Sequence, residues 1–485
     1  MNGGERRRRT VGALALALIF FAAGAYQIDR PGLHADEMLF AQGVWERGAV
    51  EFFTRVFGWR VPLMQMPYLG ALKSILYQPI FALAGVSAAA VRLPMLLAGA
   101  VTVALTFFLL WRLAGERPAW IGGGLLAVDP TFLFTARCDW GPVALERLFA
   151  VGGILLFSQG RFSCGALLFG LALWNKTTFV WTLFGLTAGV LLCYPAKLRM
   201  TWLRFVLALL CFAAGAYPWL RYNVRSQGGT VQATARFDSS DLAGKARVLR
   251  YSLEGSALYG YLMRDDGKAG PWPRTNITPW LLLAGVVAAA ACRDRLALFF
   301  ALVTAVAWLA MALTKDAGGS SHHAVLLWPW PQCVIALAAA RWQVFTIAAV
   351  IGMFMSAGVV VRHYSLIDRL GSDTPWSEAI YPLTVRVQQE RPAGVFLTDW
   401  GIGEQLLLSS RGQMPLESAI LPGMPPADFA TRRGWIFVGH VDAREALKGA
   451  NEPWKQVPGF RRIGLGTIRD GQGVEVFALF KFDAN

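Results

Sequence analysis

Two carboxylates stand side by side in PGLHADEMLF, the stretch that directly follows the first apolar segment. They are Asp36 and Glu37, with His34 shortly before them. A chain that is 55% hydrophobic and 16% charged rarely keeps adjacent acids beside an apolar segment unless they are solvated or functional. A carboxylate within hydrogen-bond reach of a hydroxyl can accept its proton. The stretch therefore predicts a general base at a membrane surface, and Asp36 is the first choice.

Further ionisable side chains lie in other short polar stretches between apolar segments. They are Lys73, Arg137, Asp139, Lys176, His322 and His323. Charges in such loops are costly to bury unpaired, so we expect this set to converge on one site. There the cations and histidines would hold an anionic phosphate, and Asp139 would be a second catalytic acid. No third ligand accompanies the histidines, so we expect no metal site and no cofactor, with only a divalent cation left open.

Several of these residues also have a purely structural interpretation. Asp36 could cap the helix that starts near Glu37. Asp139 could form an ion pair with Arg137, and Lys73 could extend to the membrane interface with no other role. Glu37 is expected to point away from Asp36, because adjacent residues of a helix face different directions.

Membrane helices are the elements that would position these groups. The mean hydropathy of +0.43 over 485 residues is typical of a polytopic membrane protein. Apolar runs predict eleven spans, at 11–26, 91–111, 118–136, 143–158, 162–174, 177–194, 202–219, 279–291, 296–313, 324–340 and 345–361. Basic residues in the short loops of one side, beginning with 6–9, make that side cytoplasmic and the acidic loop external. The net charge of +15 fits lipid contact, and we expect no nucleic acid partner.

The polar segments define the domain organisation. Residues 1–364 form the predicted membrane domain, whose external loop, 27–90, carries the acidic motif; we expect interfacial helices over 43–70. From residue 365 the strings GVFLTDW and GWIFVGH predict strands, and GEQLLLSS and DAREALKG predict helices. A hairpin is predicted at the C-terminus, with Asp470 and Gly471 in its turn. Residues 365–485 therefore form a small external α/β domain.

The order of these motifs resembles that of the GT-C glycosyltransferases, especially the aminoarabinose-transferase and protein O-mannosyltransferase branch. The similar segments are HADE, ALKSILYQP followed by RLP, DPTFLFTARCDWGP and GLALWNKTTFVW, within about residues 10–360. The resemblance implies transfer of a sugar from a polyprenyl-phosphate donor to a glycan, lipid or protein hydroxyl, outside a bacterial inner membrane. It also implies that Asp36 is the loop-one catalytic acid, Lys73 the lysine of the donor site and Asp139 the second external acid.

Two other functions stay open at this point. The chain could be a non-catalytic transporter or flippase of lipid-linked sugars, or a scaffold of an envelope complex that binds through its C-terminal domain. A transporter would carry charges at mid-membrane and often an inverted repeat, and the sequence shows neither.

If the chain is instead a glycosyltransferase, in-line attack at the anomeric carbon would invert the configuration of the transferred sugar.

Overall fold

Helices make up most of the membrane domain. The computed structural model describes residues 3–45, 48–198, 201–265, 276–418 and 426–484. The helices up to residue 370 are α1 (Gly3–Ala25), α2 (Ala35–Leu39), α3 (Leu72–Ala84), α4 (Ala88–Ala114), α5 (Glu116–Ala127), α6 (Pro130–Cys138), α7 (Ala144–Ser158), α8 (Phe162–Asn175), α9 (Phe179–Cys193), α10 (Trp202–Gly215), α11 (Tyr217–Arg225), α12 (Gly229–Thr234), α13 (Leu242–Glu254), α14 (Thr278–Ala291), α15 (Arg295–Ala312), α16 (Ser321–Ala324), α17 (Trp330–Arg341) and α18 (Gln343–Leu370).

Each of the eleven segments predicted to span a membrane is helical. Four helices, α1, α4, α15 and α18, are long and apolar enough to cross a bilayer singly. The pairs α5–α6, α10–α11 and α16–α17 reach that length together and are bent by 57°, 69° and 47°. Shorter apolar helices α8, α9 and α14, with the 15-residue α7, supply the remaining segments. The polytopic helical fold is therefore confirmed.

Asp129 joins two of the bent helix pairs. Its Oδ1 accepts the Phe132 N–H at 2.8 Å and so caps α6, where Pro130 occupies the first turn. Its Oδ2 accepts hydrogen bonds from Trp328 Nε1 at 2.7 Å and Gln332 Nε2 at 2.9 Å. One buried carboxylate thus satisfies backbone and side-chain donors at both bends and fixes them against each other.

Glycines bring α8 and α10 into close contact. A Cβ on Gly170 would collide with the Phe212 carbonyl, and one on Gly215 would collide with the Leu167 carbonyl. Small residues permit this approach of two backbones inside a membrane. The rest of α10 is different, because Gly215 is its one buried residue. The apolar side chains of α10 therefore face outward, as lipid-facing side chains do.

A small antiparallel sheet replaces the interfacial helices expected over residues 43–70, so that prediction is wrong. Its strands are β1 (Phe52–Val56), β2 (Trp59–Met66) and β3 (Leu69–Gly70), in the order β1-β2-β3. β-Branched and aromatic residues dominate β1, and the two residues that follow it adopt the positive φ angles of a tight hairpin turn. The aromatic residues taken for an interfacial helix belong to this hairpin.

The C-terminal region is the small α/β domain that was predicted. It contains α19 (Ile380–Glu390), β4 (Gly394–Leu397), α20 (Gly403–Ser409), β5 (Leu416–Ser418), α21 (Pro426–Ala430), β6 (Trp435–His440), α22 (Glu452–Lys455), β7 (Phe460–Arg469) and β8 (Glu475–Ala484). The sheet order is β5-β4-β6-β8-β7, with β4 parallel to β5 and β6 and with β7–β8 as the predicted hairpin. DAREALKG was predicted to be helical but forms only a 3-10 turn at Asp442–Arg444.

This domain packs directly on the acidic loop. The preceding helix, α18, extends past residue 364 to Leu370. The Gly32 N–H donates to the Trp376 carbonyl at 2.6 Å, and the Tyr381 hydroxyl donates to the Asp29 carbonyl at 2.9 Å. Helix α20 also contacts α2, which carries the two acids. The C-terminal domain therefore forms one side of the region around Asp36.

Candidate active site

His34 begins the short helix that presents the two acids. Its Nδ1 accepts the Asp36 N–H at 3.1 Å, while its own N–H donates to Glu37 Oε1 at 3.0 Å, which completes a capping box. Burial, followed by the charge of Arg92, lowers the pKa of His34 to about 4. The imidazole is therefore neutral and can act as the acceptor. His34, and not Asp36, is the N-cap of α2.

Asp36 is the partly accessible acid of α2. Its side chain retains 35% of its accessible surface, whereas that of Glu37 is completely buried. In the described chain its nearest ion-pair contact is His34 Nδ1, at 3.9 Å, and this ring is neutral. Burial, then the charge of Glu404, raises the pKa of Asp36 to about 6 despite the opposing charges of Lys73 and Lys176. A carboxylate with this pKa is suited to accept a proton near neutral pH.

Glu37 forms a buried ion pair with Arg92 of α4. Its two carboxylate oxygens accept Arg92 Nη2 at 2.7 Å and Nε at 2.9 Å. The same guanidinium donates to the carbonyls of Ile28, Pro31 and Gly32. This bidentate geometry, with every nitrogen used, ties the acidic loop to the membrane domain. Glu37 points away from Asp36 and toward the protein interior.

Asp139 pairs with Lys73 rather than with Arg137, the partner considered from sequence. Lys73 Nζ lies 2.8 Å from Asp139 Oδ2 and donates to the Asp139 carbonyl at 2.9 Å. Oδ1 of Asp139 accepts the N–H groups of Val143 and Ala144 at 2.8 and 3.0 Å, so it also caps α7. Both side chains are almost fully buried. Asp139 therefore fixes the Lys73 ammonium beneath the loop that carries Asp36.

Lys176 is a second buried cation near Asp36. It lies between α8 and α9, and its ammonium donates to the Gly141 carbonyl. Burial lowers the pKa of Lys176 to about 8, although the charges of Glu146 and Asp139 act in the opposite direction. No carboxylate of the described residues lies within ion-pair distance of it. Lys176 is thus less fully compensated than Lys73, and an incoming anion would favour its charged form.

Arg137 and the two histidines lie near the acidic loop but form no hydrogen bond or ion pair with Asp36 in the described chain. Arg137 is buried and donates to the Tyr364 hydroxyl at 2.6 Å and to the carbonyls of Tyr26, Gln27 and Arg30. It therefore ties the end of α1 to α18 rather than facing Asp36. His322 Nδ1 accepts Trp140 Nε1 at 3.0 Å, and its ring lies 4.2 Å from that of His323.

Aromatic rings form a wall beside α2. It consists of His34, Trp140, Tyr261, Trp376 and Trp400, with successive ring centroids 4.5–5.8 Å apart. The members come from the acidic loop, the α6–α7 and α13–α14 connections and the C-terminal domain. Burial and then the charge of Asp36 raise the pKa of Tyr261, as expected for a phenol close to that carboxylate. His34, Trp140 and Trp376 are buried, whereas Tyr261 and Trp400 are partly exposed and can offer apolar faces to a sugar ring.

Glu404 brings a fourth carboxylate to this region from α20. It lines a pocket of about 250 Å³ together with Leu39, Gln42 and Leu407, at the junction of α2 and α20. Its Oε2 is buried and has no hydrogen-bond partner among the described residues. Burial raises the pKa of Glu404. The sequence places it in TDWGIGEQ but gives no sign that α20 meets α2.

Arg92 and Trp376 are further residues of this site that had no assigned role. Arg92 carries a local signal, since a charge inside an apolar run marks a functional or paired residue. Trp376 carries none, because its contacts come from segments far apart in the sequence. Within the described ranges no three His, Cys, Asp or Glu side chains are close enough to hold one metal ion.

Comparison with known proteins identifies the architecture. No protein-family model and no curated protein matches the sequence. The structure of ArnT from Cupriavidus metallidurans bound to undecaprenyl phosphate matches with a TM-score of 0.60 and 14% identity, over 97% of both chains. The chain has the fold of this ArnT structure. The apo form of the same ArnT gives a TM-score of 0.46 at 13% identity, again over 97% of both chains.

The archaeal oligosaccharyltransferase AglB from Archaeoglobus fulgidus, in complex with an inhibitory peptide and a dolichol-phosphate, is a more distant match. Its TM-score is 0.49 at 11% identity, over 98% of this chain and 74% of that one. In this chain the acidic loop, the buried lysines and the aromatic wall all lie at one end of the helical bundle. This arrangement can support proton transfer from a hydroxyl beside a site for an anion.

Proposed function

We propose that this protein is an integral-membrane glycosyltransferase that moves a sugar from a polyprenyl-phosphate donor to an acceptor hydroxyl. The shared fold with ArnT, a protein solved with undecaprenyl phosphate, supports the donor class. The observation that carries the proposal is the difference among the acids of the acidic motif. Glu37 and Asp139 are buried in ion pairs, and Asp36 keeps an accessible carboxylate whose pKa is raised to about 6.

In the proposed reaction Asp36 is the general base. It accepts the acceptor hydroxyl proton while that oxygen attacks the anomeric carbon of the donor sugar. The bond from this carbon to the phosphate oxygen breaks, and polyprenyl phosphate leaves with the bonding electrons. A direct displacement of this kind inverts the anomeric configuration.

The leaving phosphate requires positive charge. Lys176 is the first candidate because no carboxylate of the described chain pairs with it directly. Lys73 adds a second charge, held in place by Asp139. His322 and His323 are proposed as neutral donors beside these lysines, and Arg137 as the residue that holds the surrounding loops. Electrostatic stabilisation by such fixed groups can supply a large part of catalysis.

Asp36→Asn is the direct test. The amide keeps the size of the side chain, and the α2 cap is unaffected because His34 provides it. We expect the transfer rate of purified protein with a matched polyprenyl-phosphate sugar to fall about 100- to 10,000-fold, the usual contribution of a general base. Donor-lipid binding and thermal stability should stay close to those of the parent. A turnover near normal would remove Asp36 as the base and leave Glu37 or Asp139 as the candidate. Absence of donor binding by the parent protein itself would instead favour a scaffold.

We also propose that Asp36 and the C-terminal domain face the outside of a bacterial inner membrane. The basic residues 6–9 lie at the end of α1 opposite to the acidic loop, and such residues favour the cytoplasmic side. A single cysteine at the exposed Ala443, in a cysteine-free background, should react with an impermeant maleimide in intact cells. Labelling only after the cells are broken would reverse this orientation.

A further inference from the structure

The hairpin formed by residues 52–66, called here the aromatic hairpin, ends in an exposed apolar tip. The Phe57 side chain is 99% exposed and that of Trp59 is 72% exposed. Phe53 and Val56 are also exposed. Contiguous exposed apolar side chains are unusual on a water-facing loop and mark an interaction surface.

The backbone conformation of the turn is unfavourable for Phe57. Phe57 and Gly58 have φ angles of 49° and 83°, which is the pattern of a two-residue hairpin turn with both φ values positive. Asn or Asp is preferred at the first of these positions, and a bulky residue there is strained. Phe57 makes no packing contact that would offset this strain, given its exposure. Its stabilising contact is therefore expected outside the chain.

Positive charge accompanies the aromatic side chains. Arg55 and Arg60 are paired directly across the two strands, an arrangement in which like charges repel. Arg55 is exposed, and the guanidinium of Arg60 lies 4.7 Å from the centre of the Phe53 ring. Arg60 Nη1 donates to the Trp45 carbonyl at 3.1 Å, which holds that guanidinium in place, and an anion beside the exposed Arg55 would offset the repulsion. At a bilayer surface, anionic lipid phosphates lie next to apolar acyl chains, so this surface could contact both the arginine and the aromatic side chains.

The base of the hairpin is attached to lipid-facing helices. Trp174, at the end of α8, donates through Nε1 to the Leu63 carbonyl at 2.7 Å, and the rings of Phe52 and Tyr222 lie 5.8 Å apart. Tyr222 belongs to α11, which continues the outward-facing helix α10 after a 69° bend. Val224, also on α11, is strongly exposed. The hairpin therefore starts at the edge of the bundle, beside the end of the outward-facing helix α10.

We propose that the aromatic hairpin docks on the phospholipid leaflet adjoining the acidic loop. Phe57 and Trp59 enter the boundary between headgroups and acyl chains, and the exposed Arg55 binds a lipid phosphate. Aromatic residues favour this interfacial depth, and arginines near it favour anionic lipids. This surface is separate from the Asp36 site and does not depend on the proposed reaction.

A fluorescence experiment on the full-length protein tests this docking. A cysteine replaces Phe57 in a background free of the six native cysteines, is labelled with an environment-sensitive dye, and the protein is placed singly in lipid nanodiscs. We expect a blue-shifted emission and at least a twofold greater quenching by acyl-chain nitroxide lipids than for the same dye at the exposed Ala443. In discs with anionic lipid, Arg55→Gln should reduce this quenching.

Two variants separate lipid contact from folding. Trp59→Thr removes an aromatic ring but keeps a residue favoured in strands. Phe57→Asn suits the turn better than Phe57, so the hairpin should form while its lipid contact is lost. A dye moved to position 56 should then report weaker lipid quenching than in the parent. Equal access of a water-soluble quencher to dyes at positions 57 and 443 would overturn the proposal. So would protection of the dye at position 57 that appears only when each disc holds two protein copies, because the hairpin would then contact protein rather than lipid.

Discussion

Glu404→Gln should move the acidic limb of the transfer rate to lower pH. In the parent, the base is active when ionised, and the pKa of Asp36 is raised to about 6 by burial and then by Glu404. About 91% of Asp36 is therefore ionised at pH 7 and about 9% at pH 5, so the rate should fall roughly tenfold between them. Removing the Glu404 charge lowers the pKa of Asp36, and the variant should keep a larger fraction of its rate at pH 5.

The size of this shift follows from electrostatics. For scale, two unit charges at an assumed separation of about 10 Å and an effective dielectric constant of about 20 interact by roughly 1.7 kcal/mol, equivalent to about one pH unit. Asp36 is partly exposed, so solvent screening reduces the shift to roughly 0.5–1 pH unit. The other charged groups that act on Asp36 are Lys73, Lys176 and Glu37, and they are unchanged in this variant.

The assay is the initial rate of transfer in nanodiscs from pH 4.5 to 9, with saturating donor. Glu475→Gln is the matched control, because Glu475 is an exposed acid of the same domain paired with Arg469 at 2.8 Å. Its acidic limb should coincide with that of the parent. A basic limb is expected above pH 8 in all three proteins, because the bound donor phosphate raises the pKa of Lys176 above its value of about 8 in the free protein. Identical acidic limbs for the parent and Glu404→Gln would refute the electrostatic coupling of α20 to Asp36.

Three further changes probe the surroundings of the site. Glu37→Ala should destabilise the protein by about 3–5 kcal/mol, because it leaves Arg92 buried without its counter-charge, and thermal unfolding in detergent would measure the loss. Lys73→Ala should weaken donor binding, while Lys73→Arg should keep part of it, and a titration with labelled lipid would measure both. If both variants bind the donor as tightly as the parent protein, the role of Lys73 is purely structural. A chain truncated after Leu370 loses the domain that packs on α2, so proteolysis within the acidic loop should become faster than in the parent.

Local sequence patterns predicted much of the architecture. An apolar run of sufficient length must form a helix in a bilayer, since its backbone groups find no other partners there. All eleven such runs are helical, and the strands β4, β6, β7 and β8 lie where alternation and turn residues predicted them. Residues 43–70 were the exception. Their aromatic and basic composition suits both an interfacial helix and an exposed hairpin, and composition alone does not distinguish the two.

The sequence also identified the candidate catalytic residues, but it did not identify the residues with which they pair. Asp36, Glu37 and Asp139 are all acids beside apolar segments, and sequence alone gives them similar roles. Glu37 is separated from Arg92 by 55 residues, and Asp139 from Lys73 by 66. Pairing over such distances depends on how helices pack, because side chains neighbouring in space come from segments whose order no local pattern encodes.

The sequence by itself determined that this chain crosses a membrane, carries acids after its first span and ends in a small α/β domain. Only the tertiary structure decided that His34 caps α2, that Glu37 and Asp139 are held in buried ion pairs, and that Asp36 stays accessible. It also decided that Glu404 reaches the acidic loop from the far end of the chain. The physical reason is that the burial and ionisation of a carboxylate depend on the charges and surfaces packed around it, whereas helix formation in an apolar run depends on the run itself.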